Sequence, residues 1–395
     1  MNTRDIRWLL ACASLAVGEW CASLAPEFAE AWPVAAAAAL LVACAGYGFE
    51  MRGWAYACLV VAGLAFYLFA SVDGERELRA APWMRESRLR RPAQHRVAQS
   101  PAKMDFLRRA GLGLEPGSDA VRMNRAILLG EKRGLPRGAK RTFIESGVIH
   151  VFAISGLHVM IVARVLMFFA ALMFVPYRLQ GALSAPFVWG YVALVGFTPS
   201  AVRAALMATI CSSAPLFWRR PDALSAWAVA FLAVHVANPH QIEDVASQLS
   251  FTVMLALVVA DRVSRDVGAG LVRTVYFTLV AWAAGVPIAA ATFGRVTPGG
   301  VVANLLLVAA AGYSVAAGAV GVVASFVWEP LAAHLNNLSA VVSGAMVAVS
   351  GVVSRMPWSN IEVEPWGAAE CAGWYVALGL ALYLVHRAGA RRDLV

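Results

Sequence analysis

The stretch VIHVFAISGLHVMIVA, residues 148–163, decides how this chain is read. It is apolar enough to cross a bilayer, yet it carries His150, Ser155, Gly156 and His158 where Leu and Val would serve a plain span. Read as one helix over residues 148–175, it places His150, Ile154 and His158 on one face at i, i+4, i+8 spacing, with Ser155 three residues before His158. Polar groups inside a span face the bundle interior or a watered path, because lipid offers them no partner. Gly156 lets another backbone approach or the helix break. Three readings stand: interhelical packing and hydrogen bonding, a polar-lined conduit, and a Ser–His hydrolytic site that lacks a recognisable third residue or oxyanion donor.

The rest of the chain supports a membrane setting. Of 395 residues 60% are hydrophobic and 14% charged, and the mean hydropathy is +0.65. A bilayer core about 30 Å thick needs roughly 20 apolar residues of helix, and apolar runs recur near 6–25, 32–49, 53–72, 148–175, 183–199, 200–218, 222–237, 247–263, 271–293, 299–327, 331–353 and 370–387. The fold expected is an all-α polytopic membrane protein with about 10–12 transmembrane helices, some broken or re-entrant. Glu19 and Pro26 argue against a cleaved signal, so the first run is read as a retained helix. The six cysteines lie in or beside apolar runs without C-x-x-C spacing, and read as packing residues.

Charge sets the orientation. Arg4 and Arg7, Arg219 and Arg220, Arg262, Arg265 and Arg273, and Arg387, Arg391 and Arg392 fall on one side. Glu27 and Glu30, Glu243 and Asp244, and Glu362 and Glu364 fall on the other. The positive-inside rule then puts both termini in the cytoplasm. Residues 73–142 hold 17 Lys/Arg and 8 Asp/Glu, a net of 17 − 8 = +9, and the whole chain is 33 − 24 = +9. The basic character is therefore one extracytoplasmic segment, read either as a solvated loop or as a collector of polyanions through Arg88, Arg90, Arg91, Arg108 and Arg109. The organisation expected is N-terminal membrane helices over 1–72, the basic segment over 73–142, a membrane channel domain over 143–390 and a cytoplasmic tail over 391–395.

The motif search also excludes. GLPRGAKRT is not a Walker A loop, no H-E-x-x-H is present and no acidic pair is spaced for two metals, so no metal or other cofactor is expected. Further polar islands follow the opening stretch. GFTPSAVRAALM has Pro199 at a helix start and Arg203 one turn inside, read as a snorkelling arginine or a fixed positive charge at the mouth of an anion path. NPHQIEDVASQLSF offers Asp244 or Ser247 as a helix cap and sends Gln248 and Ser250 into the bundle. GVPIAAATFGRVTPGGVVANLLLV carries Pro287, Arg295, Pro298, two glycines and Asn304, a pattern of broken helices around a cavity.

Together, RAILLGEKRGLPRGAKRTFIESGVIHVFAISGLHVMIV, TPSAVRAALMATI, ANPHQIEDVASQLSFTVML and PIAAATFGRVTPGGVVANLL resemble, in order and spacing, the competence domain of the ComEC family, over about residues 120–390. His150, Ser155, Gly156 and His158 fall on the family's HxxxxSGLH signature, Pro199 and Arg203 on PSAVRA, Gln248, Ser250 and Phe251 on QLSF, and Asn304 on a helix-starting Asn. The resemblance implies a protein of the bacterial cytoplasmic membrane that passes one strand of incoming DNA into the cell during natural transformation. These residues would then line the conduit, with Arg203, and Arg295 if it faces inward, offsetting phosphate charge without reading bases. Residues 73–142 are short for the family's OB-like domain, and no HxHxDH cluster of its metallo-β-lactamase-like domain is present. A separate nuclease, an extracytoplasmic DNA receptor and a cytoplasmic motor are therefore expected as partners, beside single-stranded DNA and the lipid bilayer, and a homo-oligomer is open. The chain itself is not expected to be an enzyme. A permease for a small anionic solute, an intramembrane Ser155/His158 hydrolase and a scaffold for uptake partners remain the alternatives.

Overall fold

A computed structural model describes residues 101–131, 137–152, 154–237, 239–263 and 270–392. The three spans expected before residue 73, and Arg88, Arg90 and Arg91, lie outside the described residues. Twelve α-helices occur among the described residues: α1 (Pro101–Arg109), α2 (Asp119–Leu129), α3 (Arg137–Glu145), α4 (Gly156–Leu172), α5 (Tyr177–Leu194), α6 (Pro199–Ser213), α7 (Ala223–Ala237), α8 (Val245–Val263), α9 (Leu271–Phe293), α10 (Gly299–Ala324), α11 (Glu329–Ser354) and α12 (Ala368–Arg392). Six are long and apolar enough to cross a membrane, α6 counting with the 3-10 turn that extends it, and α4 and α7 are shorter apolar helices. The expected all-α polytopic membrane architecture is what is observed. Two-residue strands β1 (Arg295–Val296) and β2 (Ile361–Glu362) pair antiparallel between α9/α10 and α11/α12, and mark one end of the bundle.

The scaffold is the α10–α11 hairpin. The buried residues of α11 are Ala332, Asn336, Ser339, Ser343, Met346, Ser350 and Val353, an unbroken 4-3-4-3 spacing that gives a coiled-coil seam. Four of the seven are polar, and small side chains let helices approach where lipid gives no hydrophobic drive. The facing helix is built to match, burying Ala303, Ala311, Ser314, Ala317, Gly318 and Gly321. The sequence left room for a break among these glycines; α10 instead runs unbroken for 26 residues. The helix α9 likewise runs on through Pro287, which has no N–H to give the carbonyl of Ala283. Trp374 Nε1 from α12 donates to that carbonyl at 2.8 Å, and Tyr375 Oη donates to Ala284 O at 2.9 Å, which fastens α12 to the bundle.

Residues 101–147 depart from the sequence reading of a solvated loop on one side. Arg109 pairs with Asp105 (2.7 Å), donates to Ser325 Oγ (3.0 Å) and lies 3.9 Å over the Phe326 ring. Asn336 Nδ2 donates to the carbonyls of Arg109 and Leu112. All these partners sit where α10 turns into α11, opposite the β1–β2 end. Gly147, by contrast, packs on Thr297 and Gly300 at the β1–β2 end. The described residues between 109 and 147 thus reach from one end of α10 to the other, with α2 packed in the bundle. The reason is α2: Ser118 caps it, Gly130 ends it in the left-handed region, and Val121, Met123, Ala126, Ile127, Leu128 and Leu129 are buried. Its one buried amide, Asn124, is satisfied by Ala110 O (2.8 Å) and Ser339 Oγ (2.6 Å). Eleven residues of helix are too few to register as a span.

Candidate functional site

The opening stretch is not one helix. A 3-10 turn (Ile149–Phe152) precedes a break, and α4 begins at Gly156 with Ser155 as its N-cap. His150 and His158 therefore stand on different elements and do not share a helix face. His158 Nδ1 receives the Ser155 amide (3.3 Å) and lies 2.9 Å from Ser155 Oγ. An amide can only donate, so Nδ1 accepts and the neutral ring carries its proton on Nε2. Nε2 is buried and turned toward the Ile127 carbonyl without reaching hydrogen-bond geometry. This is half a capping box with histidine in the glutamate position. His150, on the 3-10 turn, is exposed.

The break frees a carbonyl, and the second motif takes it. Ser200 Oγ, on α6 just after Pro199, donates to Ile154 O at 2.5 Å. Ala204 lies 3.7 Å from where a Cβ on Gly156 would stand, so the first turns of α4 and α6 pack side by side. Gly156 is itself exposed with room for a methyl, so packing does not demand a glycine there. Arg203, one turn into α6, does not snorkel: it is 2% exposed. Its Nη2 donates to Ala246 O (2.9 Å) in the first turn of α8, while Nε and Nη1 are buried without partners. The third motif holds that turn. Asp244 Oδ2 accepts the Ser247 amide (2.9 Å), Gln248 Nε2 donates to Ile242 O (2.9 Å), and Phe251 lies under the Arg203 guanidinium at 5.3 Å. Ser250 is half-buried beside them.

Three helix starts therefore meet at one place, and that place is recessed. Consecutive helices from α4 to α11 pack on one another, so α4 and α10 run in the same direction. Ile161, five residues into α4, touches the Cβ position of Gly312, thirteen residues into α10. The difference, 13 − 5 = 8 residues, puts the start of α4 about 12 Å below the start of α10 at 1.5 Å rise per residue. Helix N-termini carry partial positive charge, and here three of them surround a buried guanidinium.

Not every expected residue joins. Arg295 is on β1, exposed and paired with Glu362 (3.1 Å), because the strand pairing turns it outward at the rim. Asn304 is half-buried on α10 with Oδ1 unpartnered. Arg108 is exposed and paired with Asp105, and Arg109 is committed to the Ser325–Phe326 clamp. Among residues the sequence reading passed over, Ser200 is the link between two motifs, and Tyr191 Oη donates to Leu128 O (2.7 Å) to hold α2 against α5. His235 is 1% exposed near Arg203. Only Ser200 had a sequence signal, its place directly after the helix-starting proline. Among the described residues no three His, Cys, Asp or Glu gather as a metal site.

Fold and site together define a polytopic α-helical membrane protein with recessed, polar helix starts. Residues 127–388, 262 of 395, match the family model described as Competence protein, and the chain belongs to that family. It is 26% identical over 190 residues to ComE operon protein 3 of Bacillus subtilis (strain 168), covering 48% of this chain and 24% of that protein. It is 33% identical over 152 residues to Competence protein ComA of Neisseria gonorrhoeae, covering 36% of this chain and 21% of that one. The chain thus spans about a quarter or less of the length of these relatives. No solved structure matches it.

Proposed function

We propose that this protein is a conduit for single-stranded DNA across the bacterial cytoplasmic membrane during DNA uptake. The observation that carries the reading is the convergence of the starts of α4, α6 and α8, cross-tied by Ser200–Ile154 and Arg203–Ala246, about 12 Å below the start of α10. A recess walled by helix N-termini draws phosphates by dipole and charge and offers nothing that reads bases. With the acidic β1–β2 end outside, as the positive-inside rule orients it, strand entry is at that end. His150, Ser155, Gly156, His158, Pro199, Arg203, Gln248, Ser250 and Asn304 form the entry region. Arg295 and Arg108 act at most at the surface. A DNA receptor and a cytoplasmic motor complete the machinery, and the role of the entry residues is to position the strand and offset its charge.

The test is uptake of labelled DNA in a deletion strain complemented with wild type or with Arg203→Ala/His158→Ala, scoring internalised, nuclease-protected single strand. Rescue by wild type alone is expected. Equal rescue by both would discard the site, and no rescue by membrane-resident wild type would discard the conduit. The 2.9 Å contact of Ser155 Oγ with His158 Nδ1 favours a second reading, a Ser–His hydrolase. The same nitrogen receives the Ser155 amide, which helix capping explains without catalysis. Ser155→Ala should therefore leave most uptake intact, whereas a hydrolase would lose all activity.

A further inference from the structure

A guanidinium buried to 2% exposure with two of its three nitrogens unpartnered is an uncommon arrangement. Buried charges are ordinarily paired, and leaving one without a counter-charge is strongly destabilising. The side chain is not there merely to tie α6 to α8, since the single bond to Ala246 O needs only Nη2. Ser247 Oγ, on the residue after Ala246, is likewise buried without a partner. Free donors from Arg203 and Ser247 thus lie buried at the first turn of α8, beside Ala246.

One anion near this place belongs to the protein. Asp244 is close enough to act electrostatically on Arg203, yet no ion pair within 4 Å joins them among the described residues. Its carboxylate is instead engaged as the cap of α8, accepting the Ser247 amide at 2.9 Å. It balances the charge of Arg203 through space while leaving the guanidinium's hydrogen bonds unmade. A carboxylate in that position is an internal stand-in for a substrate anion: it stabilises the empty site and must give up its electrostatic role when an oxyanion arrives.

We propose that Arg203, Ser247 and the first turn of α8 form a binding site for a single tetrahedral oxyanion, a phosphodiester or free phosphate, for which Asp244 is the tethered competitor. Asp244 keeps the site from holding phosphate tightly, which suits a group that must release each phosphate as the next arrives. The inference deepens the conduit reading but does not depend on it for its test, because phosphate binding is measured apart from DNA passage.

The experiment uses the full chain in nanodiscs of phosphatidylcholine, with inorganic phosphate as the probe and binding followed by calorimetry. Asp244→Asn keeps an N-cap acceptor while removing the charge. It is expected to bind phosphate about tenfold more tightly than wild type, which corresponds to about 1.4 kcal/mol. Arg203→Gln is expected to abolish binding, and Arg203→Lys, which keeps a charge but not the planar fork, to weaken it. In discs containing phosphatidylglycerol, unchanged phosphate affinity identifies the free or diester phosphate as the ligand, and competition identifies a lipid headgroup at the same oxyanion site. Unchanged or weaker binding by a folded Asp244→Asn overturns the proposal, as does wild-type binding by Arg203→Gln or Arg203→Lys. Phosphate binding as predicted without any DNA uptake would leave this site standing and remove the conduit.

Discussion

Replacing Gly318 by alanine tests whether α2 lies inside the bundle. A Cβ at that position would stand 2.5 Å from both Leu128 methyls and 2.9 Å from its Cγ, distances that real side chains do not occupy. Leu128 is 3% exposed, so its side chain has little free space to move into, and Tyr191 Oη fixes its backbone carbonyl. Overpacking of this kind costs about 1–3 kcal/mol. Leu128→Ala alone removes the side chain from a tight site and costs about 2–5 kcal/mol. In the double variant the three atoms that collide are gone, so the new methyl adds no penalty and fills part of the cavity. The cycle should show a favourable coupling of about 1–3 kcal/mol. Unfolding of the detergent-purified protein, followed by accessibility of buried Cys371 to a thiol dye, gives the four stabilities. A neutral Gly318→Ala, or costs that simply add, would mean that α2 does not pack on α10 and that the lengthwise path of residues 109–147 is wrong.

Other outcomes follow from single contacts. Ser200→Ala leaves the Ile154 carbonyl unpaired and should destabilise by about 1–3 kcal/mol; a change within error in the same unfolding assay would refute the tie between α4 and α6. Gly181→Ala should prevent folding, since its Cβ would fall 1.8 Å from Ser212 O, whereas Gly156→Ala should fold normally; size-exclusion profiles that rank them the other way would contradict the packing. Ser339→Ala should leave the buried Asn124 Oδ1 without its donor and destabilise by about 1–3 kcal/mol; no change in the same unfolding assay would contradict the contact of α2 with α11. The Asp105 carboxyl is held below its usual range, chiefly by the hydrogen bond from Arg109. With its folded pKa depressed, the contribution of Asp105 to docking α1 is fully present above the unfolded value near 3.9 and is lost as pH falls through the folded one. Hydrogen exchange over residues 103–112 should thus stay flat from neutral pH down to about pH 4, and loss of protection already at pH 6 would assign the docking to another group.

Membrane class and most span limits were legible because hydropathy acts over whole helices: α8 to α12 lie within a few residues of their apolar runs. The site was legible as residue types but not as geometry. Nothing in VIHVFAISGLHV says that the helix starts at Gly156 rather than at Val148, because the deciding partner, Ser200, lies 46 residues on. Arg203 read equally well as a snorkelling side chain, and its burial depends on α8 lying across it. Arg295 looked like a pore charge until the β1–β2 pairing gave it Glu362. Residues 101–131 misled most, since their charge is that of a loop while the apolar face of α2 is too short to outweigh it. The 4-3-4-3 seam of α11, by contrast, was open to reading, but its serines disguised it as a polar stripe.

On the conduit reading proposed above, the described conformation also bears on where the work of transport falls. Arg203 is 2% exposed and His158 1%, so no phosphate chain reaches them until the starts of α4, α6 and α8 part. Parting these ends breaks Ser200–Ile154 and Arg203–Ala246, two hydrogen bonds whose net worth is about 0.5–1.5 kcal/mol for the first and about 1.5–3 for the second, which is charge-assisted. The α10–α11 seam and the Trp374 and Tyr375 fastening of α12 are not among these contacts. Against this, each phosphate drawn inward against 100 mV costs about 2.3 kcal/mol, a charge repeated with every nucleotide. On the conduit reading, breaking these bonds and the α4–α6 packing beside them is a one-time cost, while translocation is a sustained one. On the proposed conduit reading, the ties between the helix starts are broken once, whereas the pull on the strand is renewed with every phosphate, which is why that reading includes a motor on the cytoplasmic side.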